Sequence, residues 1–191
     1  ATMPIDPLSR LLATSGFAWR REPAGPATLT NIQWRADACD AGSILFFQRF
    51  DDGRSDAEIY RRYLADSPFA VLVTNRVLDC FEAMPDRGIY VTQPGDWASI
   101  IGDFCDLIYP LDPGMSFVGV TGTNGKTTTV KYLESMLAAQ GCRVLSVGTL
   151  GISRNGERVL ETGFTSPPQI ELRRLLHAEQ GHCDVVAMEV S

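Results

Sequence analysis

Short apolar runs of strand length recur along the chain: "SILFF" (43–47), "AVLVTN" (70–75), "GIYVT" (88–92), "SFVGV" (116–120), "RVLSVGT" (143–149) and "DVVAMEVS" (184–191). Between them lie stretches with helical spacing. In "SDAEIYRRYLADS" (55–67), Ile59, Tyr60, Tyr63 and Leu64 share one helical face. "DPLSRLLATSG" (6–16) reads as a short helix with Asp6 as cap, Pro7 in the first turn and Gly16 at the exit. Residues 20–28, rich in Pro, Gly and Ala, read as loop. "VLDCFEAM" (77–84) and the stretch around "WASIIGDFCDLI" (97–108) read as helices. Strand and helix alternate, which predicts parallel α/β units.

Pro110 and Pro113 break the pattern after the second of these helices. A domain boundary is expected there, giving a small N-terminal α/β domain over 1–113 and a second domain from 114 onward. In the second, "SFVGV" reads as a buried strand and "KTTTVKYLESMLAAQG" (126–141) as a helix ending at Gly141. "ISRNGERVL" (152–160) carries Asn155-Gly156 between strand-like flanks, a hairpin signal. "SPPQIELRRLLHAEQG" (166–181) reads as a helix with prolines at its entry. Only three core strands and a hairpin are expected after residue 114, so the chain reads as a piece of a longer protein, truncated at Ser191. Ala1 and Thr2 precede Met3, which reads as the native start.

Composition narrows the possibilities. The chain has 191 residues, 45% of them hydrophobic, enough for a globular core. Seventeen Lys and Arg against 23 Asp and Glu give a net charge of −6. A broad nucleic-acid surface needs clustered cations and is not expected. A small anion held by backbone amides is compatible with this charge. The five cysteines, Cys39, Cys80, Cys105, Cys142 and Cys183, form no Cys-x-x-Cys pair, so buried thiols in a reducing cytoplasm are expected. His177 and His182 are too far apart to share a metal on one helical face and read as structural or exposed. No signal peptide and no membrane-length apolar run is visible.

The segment with most chemistry is "VTGTNGKTTT" (120–129). A strand before it and a helix after it are what a phosphate loop requires. Gly122 and Gly125 allow close backbone approach to an anion, and successive N–H groups at a helix start point at it. Lys126 can reach β- and γ-phosphates as a point charge, and Thr127 can offer a hydroxyl to Mg²⁺. The common pattern, however, places a glycine where Val120 stands. The plain alternative is a glycine-rich strand-to-helix turn with an exposed lysine. Glu189 ends an apolar strand at its C-terminal side, where open α/β sheets keep ligands; a solvated carboxylate is the alternative. Ser166 reads independently as a helix cap ahead of Pro167.

"GVTGTNGKTTT" resembles the ATP loop of the Mur ligases, which carry this altered spacing. "TLGISRNG" with "ETGFTSPPQIELRRLL", and "VVAMEVS", resemble segments of the muramyl-tripeptide synthetase (MurE) type. "WRADACDAGSILFFQRFDDG" (34–53) is more weakly similar to their N-terminal domain. The resemblance implies an ATP-dependent amide ligase of peptidoglycan precursor synthesis, cytoplasmic and monomeric. It would add an amino acid to the nucleotide-sugar peptide UDP-MurNAc-L-Ala-D-Glu through an acyl phosphate, with ATP and Mg²⁺. By this resemblance Gly122, Thr123, Asn124, Gly125, Lys126, Thr127 and Thr128 hold ATP, and Thr127 and Glu189 hold the metal. Lys126 and Glu189 are catalytic, while Thr165, Ser166 and Ser191 touch the acceptor. The family's Asp-Ser-Arg is replaced by Gln33-Trp34-Arg35, and a tryptophan there reshapes any uridine pocket. A Mur-like ligase with another carboxylate acceptor, or a non-catalytic nucleotide-binding module, are the competing readings. The C-terminal domain of the family is missing from the sequence, so the piece alone is expected to be inactive.

Overall fold

A computed structural model describes residues 5–161 and 168–191. These form two compact units, divided between Ile108 and Tyr109. Each is built on a five-stranded mixed sheet.

The first unit opens with α1 (Pro7–Thr14), whose cap Asp6 accepts a hydrogen bond from the Ser9 amide at 2.7 Å. Strands β1 (Phe17–Arg21), β2 (Asn31–Gln33), β3 (Ser43–Phe47), β4 (Val71–Thr74) and β5 (Gly88–Thr92) stand in the order β1-β5-β4-β3-β2. Strands β2 to β5 run parallel and β1 is antiparallel to β5. Every residue of β4 and β5 is buried, as expected for central strands covered on both faces. Helix α2 (Asp56–Ile59) starts with a capping box between Ser55 and Glu58 and continues as a π-helical turn through Leu64. Ile59 and Leu64 are buried, with Tyr60 and Tyr63 packed alongside. Helix α3 (Trp97–Ile108) closes the unit and buries Ile100, Ile101, Phe104 and Cys105.

Four local expectations are corrected. The stretch 77–84 holds only a short 3₁₀ turn, Phe81–Ala83, because carbonyls that a longer helix would pair internally are taken by a side chain. The Arg21 guanidinium instead serves the carbonyls of Phe81, Met84 and Arg87. Residues 20 and 21, expected as loop, are the end of strand β1, since β5 offers them a partner. Helix α1 ends at Thr14 with extended Ser15 as its cap, so Gly16 plays no part in the exit.

The fourth correction falls in the second unit. There β6 (Ser116–Val120) is exposed rather than buried, because it stands at the sheet edge beside β10. The order is β6-β10-β7-β8-β9, with β7 (Val144–Gly148), β8 (Gly151–Arg154), β9 (Glu157–Leu160) and β10 (Val185–Glu189). Strands β6, β10 and β7 are parallel. β8 and β9 add antiparallel through a two-residue turn in which Asn155 (φ 50°) and Gly156 (φ 87°) are both left-handed. Helix α4 (Lys126–Ala139) packs on β6, β10 and β7 around Val130, Val144 and Ala187. Helix α5 (Gln169–Glu179) buries Leu176 with Leu145, Val147 and Val186 in a separate cluster. No helix among the described residues is long and apolar enough to cross a membrane.

Candidate functional site

The C-terminal ends of β6, β10 and β7 meet the start of α4. Parallel strands put their carboxyl ends on one side of a sheet, and helix starts gather there. The glycine-rich loop 121–125 bridges β6 to α4, with Gly122 at φ 141° and Gly125 at φ 79°. Only glycine adopts the first of these readily. The loop residues from Thr121 to Gly125 are all exposed, and Thr128 is exposed on the first turn of α4.

Lys126 begins α4, and its Nζ donates to the carbonyl oxygen of Gly122 at 2.7 Å. The ammonium is therefore folded over the loop. Thr127, one residue on, donates from Oγ1 to Glu189 Oε1 at 2.6 Å. Glu189 is 2% exposed and sits opposite Val120 in the β10–β6 register. Its Oε2 accepts from the Thr149 amide at 2.6 Å. The sequence therefore brings Lys126, Thr127 and Glu189 to one place, although 62 residues separate the last two. Ser191 is exposed just beyond β10. Thr165 and Ser166 lie outside the described residues.

Thr127 and Glu189 offer one hydroxyl and one carboxylate, both hard oxygen donors. No group of three or more His, Cys, Asp or Glu suited to a metal occurs among the described residues. This donor set fits Mg²⁺, which keeps water and phosphate oxygens as ligands and needs few from protein.

Other buried groups lie under the same helix. Glu134, 4% exposed, accepts from Lys131 Nζ at 2.9 Å, Ser146 Oγ at 3.0 Å, Ser153 Oγ at 3.2 Å and the Gly156 amide at 2.5 Å. Burial opposes its charge, yet the ammonium and hydroxyl donors prevail and hold its carboxyl below the ordinary value. A cavity of about 160 Å³ lies beside α4, lined by Thr127, Lys131, Ser146, Gly148, Ser153 and Glu189 among others. Neither Glu134 nor the Gly148-Thr149 pair stood out in the sequence. A small residue followed by a hydroxyl at the end of a β-strand is too common a signal.

His177 is tied to the chain before β6, and His182 is exposed. His177 Nδ1 lies 2.7 Å from the Pro110 carbonyl oxygen. All five cysteines are free thiols. In the first unit, a larger cavity of about 630 Å³ is lined by Trp34, Arg35, Phe47, Arg62 and Tyr63 among others.

Comparison with known proteins finds similarity over the stretch that carries this geometry. A family model described as the Mur ligase middle domain matches residues 120–191. Over 87 residues the chain is 42% identical to the UDP-N-acetylmuramoyl-L-alanyl-D-glutamate–2,6-diaminopimelate ligase of Wolinella succinogenes, covering 45% of this chain and 20% of that enzyme. Over 68 residues it is 47% identical to the UDP-N-acetylmuramoylalanine–D-glutamate ligase of Thermobifida fusca, covering 35% of this chain and 14% of that one. A solved structure of a UDP-N-acetylmuramoyl-L-alanyl-D-glutamate–2,6-diaminopimelate ligase superimposes with a TM-score of 0.66 at 16% identity. It covers 85% of this chain and 32% of its own, which shows the shared fold. The matched stretches are thus about a fifth or less of the curated relatives' length. Residues 120–191 match the Mur ligase middle-domain model, and over that part the chain is similar to Mur ligases.

Proposed function

We propose that the whole protein to which this chain belongs is an ATP-dependent amide ligase of peptidoglycan precursor synthesis. Its acceptor is UDP-MurNAc-L-Ala-D-Glu, to which it adds an amino acid. The single observation that carries this reading is the 2.6 Å pair of Thr127 and Glu189 beside the Gly122–Lys126 loop. It supports a nucleotide and a metal sharing one sheet end, and the relatives' printed activities support the acceptor. In this reading Gly122, Thr123, Asn124 and Gly125 present backbone donors to ATP. The Lys126 ammonium leaves the Gly122 carbonyl and neutralises the transferred phosphoryl group. The acceptor carboxylate takes the γ-phosphoryl, forming an acyl phosphate and ADP. The incoming amine then displaces phosphate, and an amide bond replaces the acyl-phosphate bond. Bound Mg²⁺ supplies further charge neutralisation at the phosphates, with Thr127 and Glu189 as its protein ligands. Thr165, Ser166 and Ser191 are proposed acceptor contacts, residues 1–113 the nucleotide-sugar domain and 114–191 the first part of the ATP domain. The protein is proposed to work in the cytoplasm as a monomer.

The test uses the whole protein with ATP, Mg²⁺ and the UDP-muramyl dipeptide, offering meso-diaminopimelate or lysine as amine. Phosphate release that requires both acceptor and amine is expected; release indifferent to the nucleotide-sugar would falsify the acceptor assignment. A second reading, a Mur-like ligase with a different carboxylate acceptor, has its own observation. Trp34, where the family pattern carries a small hydroxyl residue, lines the first unit's cavity with Phe47 and Tyr63.

A further inference from the structure

We infer that Gly148 and Thr149 are positioning residues that set where Glu189 holds its carboxylate, and so how strongly nucleotide binding depends on Mg²⁺. The inference rests on the proposed role of Glu189 as a magnesium ligand. It starts from an unusual use of a glycine. Strands β7 and β10 lie side by side with Met188 opposite Val147, which brings the end of β7 next to Glu189. A Cβ on Gly148 would lie 1.7 Å from Glu189 Oε2, 2.5 Å from its Cδ and 2.9 Å from its Cγ. The glutamate carboxylate therefore occupies the space that any other residue at 148 fills with its own side chain. Gly148 does not have a left-handed φ, unlike Gly122 and Gly125. Glycine is required at 148 for room, not for backbone conformation.

The next residue completes the arrangement. The Thr149 amide donates to Oε2 at 2.6 Å, and the Thr149 hydroxyl lies 3.5 Å from Oε1. From the opposite side Thr127 donates to Oε1 at 2.6 Å. The carboxylate is thus gripped between the turn after β7 and the first turn of α4. Oε2 faces the turn, and Oε1, shared with Thr127, is the oxygen presented to a metal. The residue after the turn is closely packed: a Cβ on Gly151 (φ 100°) would lie 2.3 Å from the Leu160 carbonyl oxygen at the end of β9. Loss of a partner that orients a ligating carboxylate typically costs about 10–100-fold in metal affinity.

The test measures binding of a non-hydrolysable ATP analogue to the whole protein by calorimetry, with Mg²⁺ and with EDTA. The readout is the ratio of the two affinities. Gly148→Ala is expected to lower that ratio by about tenfold or more while the Mg²⁺-free affinity stays as it was. The double variant G148A/E189D removes a methylene beside the added methyl, and is expected to recover most of the ratio. Thr149→Ala keeps the backbone donor and is expected to keep the ratio. A Gly148→Ala ratio equal to wild type, or a double variant no better than G148A, overturns the inference. General loosening of the strand end predicts no such rescue. Glu189→Gln separates the two levels. If it leaves the ratio intact, the magnesium-ligand reading fails and the positioning role fails with it. If it collapses the ratio while G148A does not, the positioning role alone fails.

Discussion

Glu134, on α4, and Glu189, at the end of β10, are both buried, yet they are held differently. Glu134, on the third turn of α4, draws on Lys131, two serine hydroxyls and the Gly156 amide. It ties the helix to the β8–β9 hairpin. Glu189 stands at a strand end beside the glycine-rich loop, held by Thr127 and the Thr149 amide, and it borders a cavity. The difference teaches where a buried carboxylate stabilises and where it stays available. A carboxylate saturated by its own fold, with an ammonium at 2.9 Å, is a cross-tie. One held by short hydroxyl and amide contacts at the open end of a parallel sheet is, in the proposed function, the one that meets a ligand.

The widest separation between the two is expected in turnover. Glu189→Gln in the whole protein should lower kcat by about 10² or more, whereas Glu134→Gln should leave it within a few fold. Equal losses in a phosphate-release assay would abolish the distinction. Lys126→Ala belongs with Glu189 and should weaken nucleotide binding strongly without lowering the melting temperature. In stability the order reverses. Glu134→Ala leaves the Gly156 amide and two hydroxyls without their acceptor and should cost about 2–3 kcal/mol. Glu189→Gln should cost less, about 1 kcal/mol or under, because the amide oxygen still accepts from the Thr149 amide and the new NH₂ can donate to Thr127 Oγ1. Urea unfolding of both variants tests this pair of values.

Smaller effects probe the hairpin and the strand starts. Asn155 accepts from the Val144 amide at 2.8 Å and adopts a left-handed conformation. Asn155→Ala should therefore cost about 1 kcal/mol, whereas Asn155→Gly should cost less. The smallest effect is a pH dependence. The Arg143 guanidinium and amide hold the Asp184 carboxyl down at about 2 from an ordinary 3.8. A depressed carboxylate contributes stability above its unfolded value, and that contribution disappears as pH falls from about 3.8 towards 2. Asp184→Asn should flatten the acid limb of the unfolding profile in that window alone, modestly, since both side chains are exposed.

Local signals made much of the fold legible. The apolar runs 43–47, 70–75 and 88–92 are the parallel strands β3, β4 and β5, and Asn155-Gly156 marks the hairpin by its own φ requirement. What escaped depends on partners distant in the chain. β1 is a strand because β5, about 70 residues later, pairs with it. Residues 77–84 forgo a helix because Arg21 serves their carbonyls. β6 looks like a core strand in composition, but position in the sheet order, invisible in its five residues, leaves it at the edge. In the site, the loop and Glu189 announce themselves by residue type, but Gly148 does not. Its significance is the space it leaves, and a missing atom becomes informative only once a neighbour is seen to occupy its place.

That edge has a practical side. Among the described residues β6 hydrogen-bonds only to β10, and its sequence Ser-Phe-Val-Gly-Val carries no charge, no proline and no bulge to discourage another strand. Phe117 is 50% and Val118 37% exposed. Such an edge is a template for intermolecular strand addition, the first step of colloidal self-association. Handled by itself in solution, the 191-residue polypeptide is expected to scatter light increasingly with concentration, and a lysine in place of Phe117 should suppress it.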